Sequence, residues 1–459
     1  METAKRYDLY YEKNQKTTLR KRETAAYIGG GFGNSLLSGL VNVFLMIYAT
    51  DIYGIPALAV GSIFFVAKIV DAISDPVFGI IVDKTRSSYG KFRPYLICSS
   101  IAWAILTVFL FNGPDISDSG KVAYLLILYI LWGFSFTLFD VPYWSISTVM
   151  TQDETKRTRL VSIARVSTLV GMILLMLAGG LIVAKVDSIS PGRGYSNLAI
   201  IAAVLALLFM IMMAFVCKER VKSTGENISV KQTLSYLKIN RPLQLTLLAA
   251  FLGFGMPISQ GLSIYFAVNN LGSASYMALL NIPALIVIPF IPVIVPFLTK
   301  RYEKKYVFLI CSILNALVLL CLWFVGYDNL GFVFTMNAIT TIFSLINATI
   351  ISLLITDAID YGEWKTGNRF EAISFAVQAF ASKCQGAISS FVIGLVLTII
   401  GYQAAGHSQT PETLEGLFLC FTFLPAVVGI IAAIPLLFIK FTGKAREKVL
   451  MEIQQNRNK

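Results

Sequence analysis

Residues 68–94 read KIVDAISDPVFGIIVDKTRSSYGKFRP. The apolar part has helical spacing and carries two carboxylates, Asp71 and Asp75, before it breaks into a turn rich in glycine and basic residues. Residues four apart in a helix share one face, so the two acids lie one turn from each other. Leaving a carboxylate in lipid or a packed interior costs at least about 2.5 kcal/mol unless it meets a partner or a water-filled cavity. Two such acids together imply a cation.

The rest of the chain supplies the membrane. Of 459 residues, 56% are hydrophobic and 14% charged, and the mean hydropathy is +0.71. A soluble domain carries about 25% charged residues. Twelve apolar stretches are each long enough to span a bilayer, near 25–50, 57–82, 95–112, 122–150, 160–184, 197–217, 245–268, 275–298, 307–325, 331–356, 372–400 and 417–439. The expected fold class is an all-α polytopic membrane protein. The odd-numbered connectors hold only Lys121, Lys185 and Arg193, and Lys68, Arg165 and Lys383 lie inside spans. The remaining Lys and Arg residues fall on the tails and even-numbered connectors, which places both termini in the cytoplasm by the positive-inside rule. The net charge of +12 is thereby a topology signal and calls for no nucleic acid.

The expected organisation is a cytoplasmic tail (1–24), a six-helix bundle (25–217), a cytoplasmic connector (218–244), a second six-helix bundle (245–441) and a cytoplasmic tail (442–459). A six-and-six division is what a transporter built from two halves shows. The six cysteines show no paired spacing and read as small buried hydrophobes. The single histidine, His407, falls in a polar connector, so coupling chemistry within the membrane falls to carboxylates, lysine and arginine.

Three blocks, DAISDPVFGIIVDKTRSSYGKFRP, FTLFDVPYWS at 136–145 and DAIDYGEWKTGNRFEAI at 357–373, resemble the glycoside/pentoside/hexuronide:cation symporters, the melibiose permease group of the major facilitator superfamily. The resemblance covers essentially the whole chain. It implies two six-helix bundles related by a pseudo-two-fold, a central cavity opening alternately to either side, and transport of a small sugar with a monovalent cation in the bacterial cytoplasmic membrane, the protein acting as a monomer.

The residues read consistently with it. A purely structural Asp71/Asp75 pair satisfied by Lys68, Arg165 or Lys383 would leave one carboxylate uncompensated, whereas a dehydrated cation held by carboxylate and hydroxyl oxygens uses both. The resemblance places Thr137 beside the acids as a cation ligand. Ser74 stands where melibiose-type members often have an amide side chain and completes the expected cation set. On the fourth span, Asp140 precedes Pro142, which removes a backbone donor, and Trp144 follows one turn on. The carboxylate suits two sugar hydroxyls and the indole suits the C–H face of a pyranose, with an interfacial or core tryptophan as the plainer reading. Arg165 must reach a partner, either Asp140 or substrate hydroxyls, and by resemblance it lines the sugar site. Lys383 is the only formal charge in the eleventh span, a candidate substrate residue and an electrostatic link between the halves, with Gln378 as a lesser candidate.

Asp83, Arg86, Lys91 and Arg93 in the basic turn, and Asp357, Asp360, Glu363 and Arg369 in the second half, are expected gating residues whose salt bridges close the cytoplasmic face. Exposed pairs contribute about 0–1 kcal/mol each, which suits a latch that must reopen. A passive solvated turn is the alternative. On the first span, Asn34 and Ser35 stand where melibiose-type members have Lys-Asp, and Ala348 falls where that branch has an aromatic. Asn34 and Ser35 are therefore candidate substrate residues for something other than a galactoside.

The expected function is import of a glycoside, pentoside or hexuronide by symport with sodium, or with a proton or lithium. The alternative within the wider family is a lysolipid or other amphiphile symporter. An enzyme is not expected: no nucleophile, metal cluster or phosphate-binding loop stands on a connector, and the chain carries no cofactor signature. Nothing resembles a repeated selectivity filter, so a channel is not expected either.

Overall fold

In the structure, a computed structural model, twelve helical spans are long and apolar enough to cross a bilayer. It describes residues 19–85, 87, 89–151, 154–190, 192–220, 230–253, 255–367, 371–403, 408–443, 446–449 and 451–452, and among them there is no strand. Helices satisfy their own backbone groups, which lipid demands of any spanning segment. The chain divides into two compact units near Gly225.

The first unit contains α1 (Lys21–Ile47, prolonged by a π turn at Tyr48–Ile52), α2 (Ala57–Lys84), α3 (Arg93–Leu110), α4 (Asp118–Met150), α5 (Glu154–Asp187) and α6 (Gly194–Val216). Helix α1 packs on α5 and α6, α2 on α4, and α3 on α4 and α6. Small residues allow the tightest of these approaches, as in membrane helix packing generally. At Gly33 a methyl group would stand 2.8 Å from the Ala206 carbonyl oxygen of α6.

The basic turn after α2 is built around a residue from the end of the unit. The fully buried Glu219 carboxylate accepts from the backbone N–H groups of Lys91 (2.8 Å), Phe92 (2.9 Å) and Arg93 (3.3 Å). It caps the start of α3, where orphan donors and the helix dipole favour an anion. Gly90 adopts φ +104° directly against that carboxylate, a place where a Cβ would meet both backbone strain and Glu219 itself. Beside it, Arg220 donates from one nitrogen to both oxygens of Glu23, at 2.9 and 2.8 Å.

The second unit contains α7 (Val230–Ile239), α8 (Arg241–Leu252), α9 (Gly255–Tyr265, prolonged by a π turn at Phe266–Asn270), α10 (Tyr276–Val287), α11 (Ile291–Arg301), α12 (Lys304–Val325), α13 (Leu330–Thr366), α14 (Glu371–Ile399) and α15 (Pro411–Leu437). Helices α8 and α9 belong to one span, as do α10 and α11. The latter pair carries Pro283, Pro289, Pro292 and Pro296, each without a backbone donor, and the helix tightens to a 3-10 turn at Ile288–Phe290. Helix α12 packs on α13 and α15, and α8 on α13, α14 and α15. Expected to stop near residue 356, α13 continues through the acidic block to Thr366 and ends on Gly367 at φ +73°.

Candidate functional site

The acid pair on α2 meets a matching pair of positions on α4. Asp71 and Asp75 are one turn apart, and so are Gly133 and Thr137 opposite them. The buried Thr137 hydroxyl donates to Asp75 Oδ1 at 2.8 Å. A methyl group at Gly133 would run into the Asp71 carboxylate, so the missing side chain is what lets the acid lie against α4. Ser74 returns its hydroxyl proton to the Asp71 backbone carbonyl at 3.1 Å, so of the two expected hydroxyl ligands it is Thr137 that reaches a carboxylate. Among the described residues no group of three or more His, Cys, Asp or Glu converges as a metal site. Two carboxylates and a hydroxyl make an oxygen-only set, suited to a hard cation.

Three residues beyond Thr137 on α4, Asp140 collects the expected saccharide ligands. Its Oδ1 accepts from Asn34 Nδ2 of α1 at 2.9 Å and from Trp144 Nε1 at 3.0 Å. The Arg165 guanidinium of α5 lies 4.9 Å from the Trp144 ring centre, a cation–π contact. The structure thus joins Arg165 to Trp144, and among the described residues no ion pair links it to Asp140, the partner the sequence offered first. Tyr143 backs the indole edge-on at 4.8 Å and stacks on Tyr27 at 4.8 Å and Phe139 at 5.7 Å. Ser35 departs from expectation. It is buried, donates to the Phe32 carbonyl at 2.7 Å and packs against Gly171, because its place on α1 turns it toward α5.

Well inside the spans of the first unit lie the acids Asp71, Asp75 and Asp140 and the bases Lys68 and Arg165.

In the second unit, Lys383 and Gln378 are half-buried on α14, and Gln378 lines a cavity inside that unit. The gating expectations fare differently. Asp357 is buried and bound within its own unit to Lys304 at 2.6 Å and Arg446 at 2.9 Å, which makes it a tie among α12, α13 and the C-terminal segment. Lys91 is buried, and Arg93 donates to the carbonyls of Ala214 and Phe215, so both residues take part in the Glu219 cap. Asp360 and Glu363 lie half-buried on α13. The Asp83 side chain, Arg86 and Arg369 lie outside the described residues. Sequence reasoning missed Glu219 and its neighbour Arg220, which read as ordinary connector charges, and Gly133, whose only signal was its one-turn spacing from Thr137.

Twelve spans in two units, with ionisable side chains gathered inside the spans of the first, define a membrane transporter of the major facilitator type. The sequence model of the family described as MFS/sugar transport protein matches residues 26–443, and the chain belongs to that family. It is a multi-pass protein of the cell membrane and not an enzyme. Among its relatives, the uncharacterized symporter YjmB of Bacillus subtilis is 31% identical over 453 residues, covering 95% of this chain and 96% of that one. The isoprimeverose transporter of Lactiplantibacillus pentosus is 30% identical over 456 residues, covering 94% and 91%. Among solved structures, a bacterial homologue of the human lysosomal transporter Spinster, inward-facing and unoccupied, shares the fold with a TM-score of 0.71 at 14% identity, covering 95% of this chain and 99% of that one.

Proposed function

We propose that the protein imports a glycoside, pentoside or hexuronide by symport with a monovalent cation, sodium in preference to a proton or lithium, through alternating access of two six-helix bundles with both termini in the cytoplasm. The observation that carries this reading is the register along α4. Thr137 serves the acid pair and Asp140, three residues on, holds Asn34 and Trp144, so a cation and a sugar would act on one rigid helix. The match to a sugar transport family and the likeness to an isoprimeverose transporter support the sugar.

In this mechanism the cation neutralises the acid pair, which would otherwise resist closure in a low dielectric. Asp140 then accepts sugar hydroxyls, Arg165 donates to them, and the Trp144 ring receives the apolar face of the pyranose. The membrane potential contributes about 2.3 kcal/mol per charge per 100 mV to inward movement. Sodium is preferred because two close carboxylates both stay ionised around a metal ion, whereas a proton site needs only one. Asp360 and Glu363 remain the second unit's candidates for a latch on the cytoplasmic side.

The test is uptake into proteoliposomes. An inward sodium gradient should drive accumulation of a labelled glycoside, and Asp71→Asn or Asp75→Asn should abolish it. Accumulation indifferent to sodium, lithium and proton gradients would overturn the symport reading.

A further inference from the structure

Gly362 stands inside α13, where glycine is among the least favourable residues for a helix. Its missing side chain is used by Tyr236 of α7, on the stretch of chain that joins the two units in sequence. A methyl group at Gly362 would stand 2.6 Å from Tyr236 Cε2 and 2.8 Å from Cζ, so the ring is seated in the notch that glycine leaves. Tyr236 is buried there, and its hydroxyl accepts from Asn240 Nδ2 at 3.0 Å and from Ser374 Oγ of α14 at 3.4 Å.

Asn240, also buried, completes the clasp. The same Nδ2 donates to the Ala358 carbonyl of α13 at 2.7 Å, while Oδ1 accepts from the Leu243 N–H at 3.1 Å and caps α8. Ala358 and Gly362 are one turn apart, so α7 and the start of α8 hold one face of α13. The C-terminal segment holds a second face. Arg446 binds Asp357 at 2.9 Å, Phe441 meets the Tyr361 ring edge-on at 5.1 Å, and Trp364 Nε1 donates to Glu452 at 2.7 Å. At about 100° per residue, Asp360 and Glu363 fall on the arc between these two faces. Holding a helix on two sides sets the direction in which the third presents its side chains.

We propose that Tyr236 and Asn240 are positioning residues for gating: seated against Gly362 and Ala358, they fix the rotation of the end of α13 about its axis, and with it the direction in which Asp360 and Glu363 are presented. The inference rests on the latch in the symport reading and gives that latch its support, from two residues outside all twelve spans.

The experiment combines uptake into proteoliposomes with hydrogen exchange on the purified full-length protein. Two variants leave every candidate cation and sugar residue in place. Asn240→Ser keeps a side-chain oxygen for the α8 cap and loses the donor to Ala358 and Tyr236, and Gly362→Ala fills the notch. In each, amide exchange over residues 357–366 should quicken about tenfold. Sodium-driven uptake is read with labelled isoprimeverose, a neutral pyranoside, a pentoside and a hexuronide. Its maximal rate should fall about tenfold in each variant, while KM and the sodium concentration for half-maximal rate stay within about threefold of wild type. Arg220→Met, a destabilising change in the first unit, controls for general loss of stability and should leave exchange over 357–366 at the wild-type rate. Wild-type exchange in both variants overturns the clasp, and faster exchange with an unchanged maximal rate overturns its part in gating; either result leaves the symport reading standing. If the wild-type protein accumulates none of the four sugars, the symport reading and the gating role fall together, while exchange still decides whether the clasp holds α13.

Discussion

The Thr137 hydroxyl donates to the Asp75 carboxylate at 2.8 Å, tying α4 to α2 one turn below the residue that holds Asn34 and Trp144. Thr137→Val keeps the shape and removes the oxygen. A hydrogen bond to a charged group contributes about 1.5–3 kcal/mol, so sodium affinity should fall about tenfold or more, and Thr137→Ser should restore most of it. Sodium titration followed by thermal stability checks this, with glycoside absent.

Gly133 makes room for Asp71. Gly133→Ala deletes no ligand, yet its methyl must push the carboxylate away from α4. Loss of sodium-dependent stabilisation, with thermal stability in choline chloride lowered by no more than the about 1–3 kcal/mol of an ordinary overpacking change, is the expected result. Sodium binding equal to the wild type would mean that Asp71 has no part in the ion site.

The sugar arm should separate from the cation arm. Asp140→Asn is expected to abolish glycoside binding while leaving sodium stabilisation within a few fold of wild type. Trp144→Phe keeps an aromatic face but loses the Nε1 donor that orients Asp140 and weakens the platform for Arg165. Its glycoside affinity should fall about tenfold, as expected for one lost charged hydrogen bond.

Glu23 and Arg220 are 1% and 5% exposed and bound at 2.8 Å, which makes them a test of stability and not of transport. Breaking a buried pair from one side costs about 3–5 kcal/mol, because the remaining charge has no compensation. Arg220→Met alone should lower the melting temperature sharply, and Glu23→Leu added to it should recover most of the loss. Additive destabilisation in the double variant would show that the two side chains act independently.

How far the sequence reached can be argued from these residues. Periodicity exposed the twelve spans because lipid imposes one rule, long apolar stretches, on every one of them. Asp71, Asp75 and Asp140 stood out because a charge among apolar residues is conspicuous in any reading of the chain. Gly133 escaped because a cavity-making residue leaves no chemical mark of its own. Glu219 escaped in the opposite way: it reads as a solvated charge on a connector, and only the folded chain shows it capping α3. Asp357 stood out in the sequence as a gating residue, but its partners Lys304 and Arg446 lie far from it in the chain and only the fold shows them. The asparagine-lined cavity escaped as well, since Asn281, Asn315, Asn337 and Asn347 lie on three helices whose convergence no local pattern announces.

The most direct test of cation coupling is the thermal stability of the purified protein with and without a glycoside, in sodium chloride and in choline chloride. Ligands of the native state stabilise it by mass action, and coupled ligands strengthen each other's shifts reciprocally. The account predicts a glycoside shift that grows in sodium and loses that growth in Asp71→Asn. A glycoside shift of the same size in both salts, or a shift produced by a lysolipid and by no glycoside, would contradict it.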